Sequence, residues 1–63
     1  MPAQTTYNTY RKALDVYSDA MSRFACDHSA YARNTLEIYR RDVVKARAAW
    51  EASLALERER MFA

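Results

Sequence analysis

Hydrophobic residues recur along the chain at spacings of three and four positions, which is the period of an α-helix. The first stripe consists of Tyr7, Tyr10, Leu14, Tyr17, Met21 and Phe24. The second stripe consists of Leu36, Tyr39, Val43, Ala46, Trp50, Leu54 and Met61. The strict alternation typical of strands does not occur, so the pattern predicts two amphipathic helices.

The segment Cys26-Asp27-His28-Ser29 lies between the stripes and is the poorest helix-forming stretch of the interior. One long helix through it is the alternative, but it would leave the stripes about 120° out of phase, since each residue turns by about 100°. A turn lets the stripes face each other. We expect Asp27 or His28 to adopt a left-handed conformation at the first helix end, and Asp27 or Ser29 to cap the second helix.

These elements predict an all-α fold, an antiparallel two-helix hairpin that forms a single domain over residues 1–63. Helix one is predicted over about residues 5–26, the turn over about 27–29 and helix two over about 30–61. Tyr7 and Tyr10 are then expected to approach Trp50. Because helix two is longer by about ten residues, or about 15 Å, the segment 52–62 is predicted to project beyond helix one.

The composition indicates that such a hairpin needs a partner. The chain has 63 residues, no glycine, one cysteine and one histidine. A chain this short buries only about 60% of its unfolded surface, and it can form neither an internal disulfide nor a four-ligand zinc site. Oligomerisation is the remaining source of stability. We therefore predict a homodimer in which two hairpins form a four-helix bundle.

Helix two carries a second apolar line on its far side, interrupted by Lys45. A helix that is apolar on two faces is usually buried on two faces. The alternative use of this line is the binding of a different protein. The predicted dimer interface consists of Tyr31, Ile38, Ala49, Ala52, Leu56, Met61 and Phe62.

Arg33, Arg40 and Arg47 recur every seven residues beside the main apolar stripe. One interpretation is a solvated flank whose guanidinium groups pair with Glu37 and Glu51. The other is contact with an acidic protein surface or an RNA backbone. Binding hot spots favour Trp, Tyr and Arg. The predicted partner-binding residues are Tyr39, Arg40, Arg47, Trp50 and Leu54.

No catalytic, metal or cofactor site is predicted, and no small-molecule substrate. Cys26, Asp27 and His28 stand on a short turn that offers no pocket to exclude water. Ten Lys and Arg against eight Asp and Glu give a net charge of +2, so nucleic-acid binding is the weaker expectation. Neither a signal peptide nor a membrane-spanning segment is predicted, and we expect a cytoplasmic protein with Cys26 reduced.

The Arg- and Ala-rich helix two, with Tyr39 and Trp50 along it, is similar in character to small phage-encoded inhibitors of host regulators. Among these is a quorum-sensing anti-activator that is a compact helical dimer. The hairpin also resembles, in architecture only, the RNA-binding plasmid regulator Rop, and small secretion chaperones with an apolar groove. The resemblance implies a non-enzymatic protein that inhibits or modulates a larger protein. A Rop-like RNA- or DNA-binding adaptor, or a structural or chaperone subunit, is the alternative.

Overall fold

A computed structural model describes residues 2–62, which form two long α-helices joined by a short turn. Helix α1 covers Ala3–Arg23 and helix α2 covers Ala30–Phe62. The helices pack antiparallel, because Ala3 contacts Glu57 at one end and Phe24 contacts Tyr31 at the other. The prediction of an all-α hairpin is confirmed. The molecule measures 51 × 15 × 13 Å.

Helix α1 begins at Ala3, two residues earlier than predicted, because Pro2 starts it. The backbone of Pro2 is extended, and its carbonyl accepts the N–H groups of Thr5 and Thr6 at 3.1 and 3.3 Å. Pro2 offers no side-chain cap. The carboxylate of Glu57 supplies one from α2, since it accepts the N–H of Ala3 at 3.0 Å. A carboxylate is favourable there because the N-terminal end of a helix is electropositive.

The contact between Ala3 and Glu57 also corrects the predicted projection of α2. Because the first residue of α1 lies level with Glu57, only residues 58–62 extend past it. The segment from Ala52 to Glu57 lies beside α1. The predicted projecting segment is about twice as long as the observed one, and the earlier start of α1 accounts for two of the six residues of difference.

The turn between the helices is held by backbone and side-chain hydrogen bonds. Helix α1 ends at Arg23, and the N–H of Asp27 bonds to the carbonyl of Phe24 at 3.0 Å. Among the described residues none has a positive φ, so the predicted left-handed conformation at Asp27 or His28 is wrong.

The start of α2 confirms the predicted cap. The hydroxyl oxygen of Ser29 accepts the N–H of Ala32 at 3.2 Å, which satisfies one donor of the first helical turn. The carboxylate of Asp27 accepts the N–H of Ser29 at 2.9 Å. Hydrogen bonds from the backbone and side chain of Ser29 lower the pKa of Asp27.

The contact between the helices, here called the interhelical seam, follows a strict seven-residue repeat. All of its members are buried or half-buried, and on each helix they step by three and four positions, the heptad pattern of coiled coils. On α1 the seam consists of Ala3, Thr6, Tyr10, Ala13, Tyr17, Ala20 and Phe24. On α2 it consists of Ala32, Leu36, Tyr39, Val43, Ala46, Trp50 and Ser53.

Bulky and small side chains alternate along this seam. The Trp50 ring stacks on Tyr10 with centroids 5.4 Å apart, and Tyr7 contacts the same indole at 5.2 Å in a tilted arrangement. The predicted approach of these rings is confirmed. The most buried positions hold small residues, including Thr6 and Ser53, whose hydroxyls donate to carbonyls of their own helices. Small residues at these positions allow the two backbones to approach closely.

The seam differs from the predicted stripe of α1 at every second position. Thr6, Ala13 and Ala20 point between the helices, whereas the prediction placed the residue that follows each of them there. Of those following residues, Tyr7 and Met21 are exposed. The prediction was wrong at these positions because it followed the bulkiest apolar residues, whereas close packing selects the small ones.

Candidate functional site

The exposed apolar residues lie mainly on two surfaces, one on either edge of the seam. The first, here called the arginine face, combines an apolar row of α1 with a mainly basic row of α2. Its residues directly follow seam positions, apart from Met61, which continues the row of α2 one heptad past Leu54. In an antiparallel pair such positions share one edge of the contact. The face consists of Tyr7, Leu14 and Met21 of α1 and of Arg33, Arg40, Arg47, Leu54 and Met61 of α2.

The second surface, here called the outer stripe, belongs to α2 alone. It lies about 100° around the helix from the seam and keeps the same steps of three and four residues. It consists of Tyr31, Thr35, Ile38, Asp42, Lys45, Ala49, Ala52 and Leu56. Tyr31 is 71% exposed, Ile38 58% and Leu56 54%. α1 therefore leaves this second apolar line of α2 uncovered.

Ion pairs orient the guanidinium groups of the arginine face. Arg40 donates to the carboxylate of Glu37 through two nitrogens, at 2.7 and 3.0 Å, and Arg47 donates to Glu51 at 3.1 Å. Both pairings were predicted from the spacing and are confirmed. The hydrogen bond from Arg40 lowers the pKa of Glu37 and raises the pKa of Arg40. A guanidinium has five N–H donors, so each arginine retains donors for a further acceptor.

The predicted partner-binding residues divide between the seam and the arginine face. Arg40, Arg47 and Leu54 share the face; the arginines are exposed and Leu54 is half-buried. Tyr39 and Trp50 are half-buried members of the seam, and the indole ring is occupied by the two tyrosines of α1. The structure therefore brings three of these residues together on one surface and places two behind it.

The predicted dimer-interface residues divide in a similar way. Five lie on the outer stripe: Tyr31, Ile38, Ala49, Ala52 and Leu56. Met61, 82% exposed, lies in the row of Arg40, Arg47 and Leu54 instead. The side chain of Phe62 lies outside the described part of the structure.

Sequence reasoning missed two parts of these surfaces. It placed Tyr7 and Met21 in the core, and it left Asp42 out of the second apolar line. The signal for the first is the seven-residue repeat of Thr6, Ala13 and Ala20, because small residues at a fixed heptad position mark a close helix contact. The signal for the second is the unbroken alternation of three- and four-residue steps through Asp42.

Other features of the described chain offer little chemistry. Cys26 is exposed on the turn. A shallow depression at the opposite end is open to solvent and is lined by Pro2, Ser53, Leu56, Glu57 and Arg60. Within residues 2–62 no group of three or more His, Cys, Asp or Glu side chains is placed to hold a metal ion. Neither described helix is long and apolar enough to cross a membrane.

Comparison with protein-family models, with curated proteins and with solved structures finds no match to this chain.

Proposed function

We propose that this protein is a non-enzymatic binding module that inhibits or modulates a larger protein by covering part of its surface with the arginine face. The observation that supports the proposal is that Tyr7 and Met21 are exposed on the same edge of the seam as the row of α2 that carries Arg40 and Arg47. Exposed aromatic, methionine and arginine side chains in one patch are the composition of protein-binding hot spots.

The chemistry of the face defines the partner surface that fits it. Arg40 and Arg47 suit carboxylates, which a planar guanidinium binds with two parallel hydrogen bonds. Met21, on the neighbouring row of α1, suits an apolar patch because its flexible thioether adapts to irregular surfaces. The proposed partner is a protein that presents acidic side chains around an apolar patch.

Occlusion is the proposed mechanism. A rigid rod about 50 Å long that lies across a functional surface blocks whatever else binds there. Inhibition of a host regulator by a phage protein is the particular case that the resemblance in the sequence implies.

Binding of RNA or DNA is less favoured by the electrostatics of the face. Glu37 and Glu51 lie beside the arginines and bind them, so carboxylates occur along the surface that a phosphate backbone would follow. A nucleic-acid interface is normally more uniformly basic.

Affinity capture with a matched pair of variants tests the proposal. The test variant is Arg40→Gln/Arg47→Gln, which removes two positive charges from the arginine face. The control is Arg11→Gln/Arg41→Gln, which removes two arginines from i,i+4 ion pairs elsewhere on the helices. Both variants are checked for helicity by circular dichroism and are used with wild type as baits in nuclease-treated lysate of the source cells.

We expect wild type and control to retain the same protein and the test variant to lose it. The retained protein is then purified, and titration calorimetry should give a Kd at least about tenfold weaker for the test variant than for the control. Equal retention by both variants contradicts the proposed face. Retention that occurs in a parallel untreated lysate, is absent from the nuclease-treated one and falls steeply with salt supports the nucleic-acid alternative.

A further inference from the structure

We propose that a second copy of this chain covers the outer stripe, with the two α2 helices antiparallel about a two-fold axis level with the midpoint between Val43 and Val44. This inference goes beyond the proposed function, because it concerns the opposite edge of the seam. The order of residues along the stripe favours a copy of the same chain as its occupant.

The stripe is symmetric about its own middle. Every member has a counterpart at the same distance on the other side of the midpoint, so an antiparallel copy meets each position with another member of the stripe. The resulting pairs are Tyr31 with Leu56, Thr35 with Ala52, Ile38 with Ala49, and Asp42 with Lys45, each formed twice. Ile38 thus faces the small Ala49, which favours close packing, and the large Tyr31 and Leu56 meet at each end of the paired segment. The paired segment is about 38 Å long.

The two charges in the middle of the stripe select the partner and its direction. Within the described residues neither Asp42 nor Lys45 takes part in an ion pair of its own chain. An antiparallel copy places Asp42 opposite Lys45 of the second copy, and the two-fold axis repeats this pair. A parallel copy in register would place like charges together, which is repulsive. The charge order is therefore complementary to the same stripe of a second, antiparallel molecule.

An exposed residue of α1 supports the same arrangement independently. Val16 is 46% exposed, and it lies on the edge of the seam opposite the arginine face. Tyr10 stacks on Trp50, so six residues further along α1, Val16 lies level with Val44, at the height of the proposed axis. The axis runs across the helices and keeps both copies of α1 on the same side of the α2 pair. The two Val16 side chains then face each other in a four-helix bundle.

The arrangement leaves the arginine faces available. They lie on the other edge of each seam, so a dimer carries two copies of the proposed binding surface, related by the two-fold axis. Failure of the dimer in the experiments below therefore leaves the proposed function standing, and failure of partner capture leaves the dimer standing.

Charge exchange across the axis tests the inference. Asp42→Lys and Lys45→Asp each turn both attractive pairs into repulsive ones, whereas the double variant exchanges the charges and restores attraction. Arg11→Asp makes the same change from a positive to a negative charge on the side of α1 that carries Ser18, away from Val16. Sedimentation equilibrium over a wide concentration range measures the mass of each, and circular dichroism checks that each remains helical.

We expect wild type, the double variant and Arg11→Asp to sediment at twice the chain mass of 7.4 kDa. Each single variant should dimerise at least about tenfold more weakly, because attraction is lost and repulsion gained at two sites. Mixing the two single variants should restore the dimer, since positions 42 and 45 are both lysine in one variant and both aspartate in the other. A charge effect within one helix cannot produce this rescue.

Three outcomes would overturn the inference. They are a monomeric wild type at all concentrations, single variants that dimerise as tightly as wild type, and a mixture that stays monomeric although both components are helical. Val16→Glu supplies a second readout, because it places two carboxylates together at the axis and should weaken the dimer. Ser18→Glu, which adds the same charge on the other side of α1, should leave the dimer unchanged.

Discussion

The interhelical seam and the outer stripe of α2 have the same spacing but opposite environments. Both step by three and four residues along the helix, yet the seam is covered by α1 while the stripe is exposed. The seam alternates bulky rings with small residues, as at Trp50 and Ser53. The stripe has its larger apolar residues towards its ends, and it carries Asp42 and Lys45 at its centre. The difference shows how one helix presents two contact surfaces of different stability.

The two surfaces also differ in what must be present to cover them. The seam can form at any concentration, because the turn at Ser29 holds the two helices of one chain together. In the proposed dimer the stripe is covered by a second molecule, so we expect its burial to depend on concentration. Charges are tolerated in the stripe because they stay hydrated until a complementary surface arrives, whereas the buried positions of the seam hold only Ala, Thr and Ser.

Trp50→Ala should have the largest effect on the seam. The indole is half-buried between Tyr7 and Tyr10, so we expect a loss of about 2–3 kcal/mol in the free energy of unfolding, below the range for a fully buried tryptophan. The loss should be the same at low and high protein concentration. Urea denaturation followed by circular dichroism at several concentrations measures it.

Ile38→Ala is the matched control on the outer stripe. At concentrations where the protein is monomeric it should change the free energy of unfolding by less than about 0.5 kcal/mol. At higher concentrations it should reduce the extra stability that dimerisation supplies. A concentration-independent loss as large as that of Trp50→Ala would show that the stripe is covered within a single chain.

Enlarging an alanine should reduce stability in the seam but hardly at all on the solvated surface of the same helix. Ala32 is fully buried, so Ala32→Leu should cost about 1–3 kcal/mol by forcing the helices apart. Ala48 is exposed, so Ala48→Leu should change stability by no more than about 0.5 kcal/mol. Thermal denaturation of both variants measures the difference, and equal melting temperatures would contradict the close contact at Ala32.

Acid should weaken the turn that holds the seam together, and this is the smallest effect. The pKa of Asp27 is lowered below its ordinary value of 3.8 by its bonds with Ser29. A lowered pKa in the folded state stabilises the hairpin above the unfolded value, and this stabilisation is lost as the pH falls through the folded pKa. Stability should therefore decrease as the pH falls below about 3.8.

Asp27→Asn identifies the source of that loss, because asparagine keeps a similar shape but does not titrate in this range. The variant should show a shallower acid decrease in urea-denaturation experiments at a series of pH values. Asp15→Asn, a neutralisation elsewhere on the surface of α1, is the control. Identical acid profiles for wild type and Asp27→Asn would contradict the role of the Asp27–Ser29 bond.

The predictable parts of the fold are those determined by short-range chemistry. The Ser29 cap depends on residues three apart, and the pairings of Arg40 with Glu37 and Arg47 with Glu51 each span about one helical turn. The approach of Tyr10 to Trp50 followed once a hairpin was assumed. The start of α1 was less predictable, because Glu57, distant in sequence, caps it from the other helix.

The pattern of hydrophobicity also could not predict the orientation of α1 about its own axis. Tyr7, Leu14 and Met21 are as compatible with helical spacing as Thr6, Ala13 and Ala20, and they are more apolar. Which set points inward depends on how closely the second helix approaches. The candidate site was unpredictable for the same reason, because the orientation of α1 about its axis decides whether Tyr7 and Met21 belong to the core or to the arginine face.

By itself the sequence determined two helices, the turn between them, its cap and the ion pairs along α2, because each depends on neighbours within a few residues. The tertiary structure alone decided which positions form the seam, how far α2 extends past α1, and which exposed residues share a surface. Those properties depend on the distance and register between two helices. Small residues such as Ala20 and Ala32 set that distance, and their contribution lies in the space they leave for the other helix rather than in their own hydrophobicity.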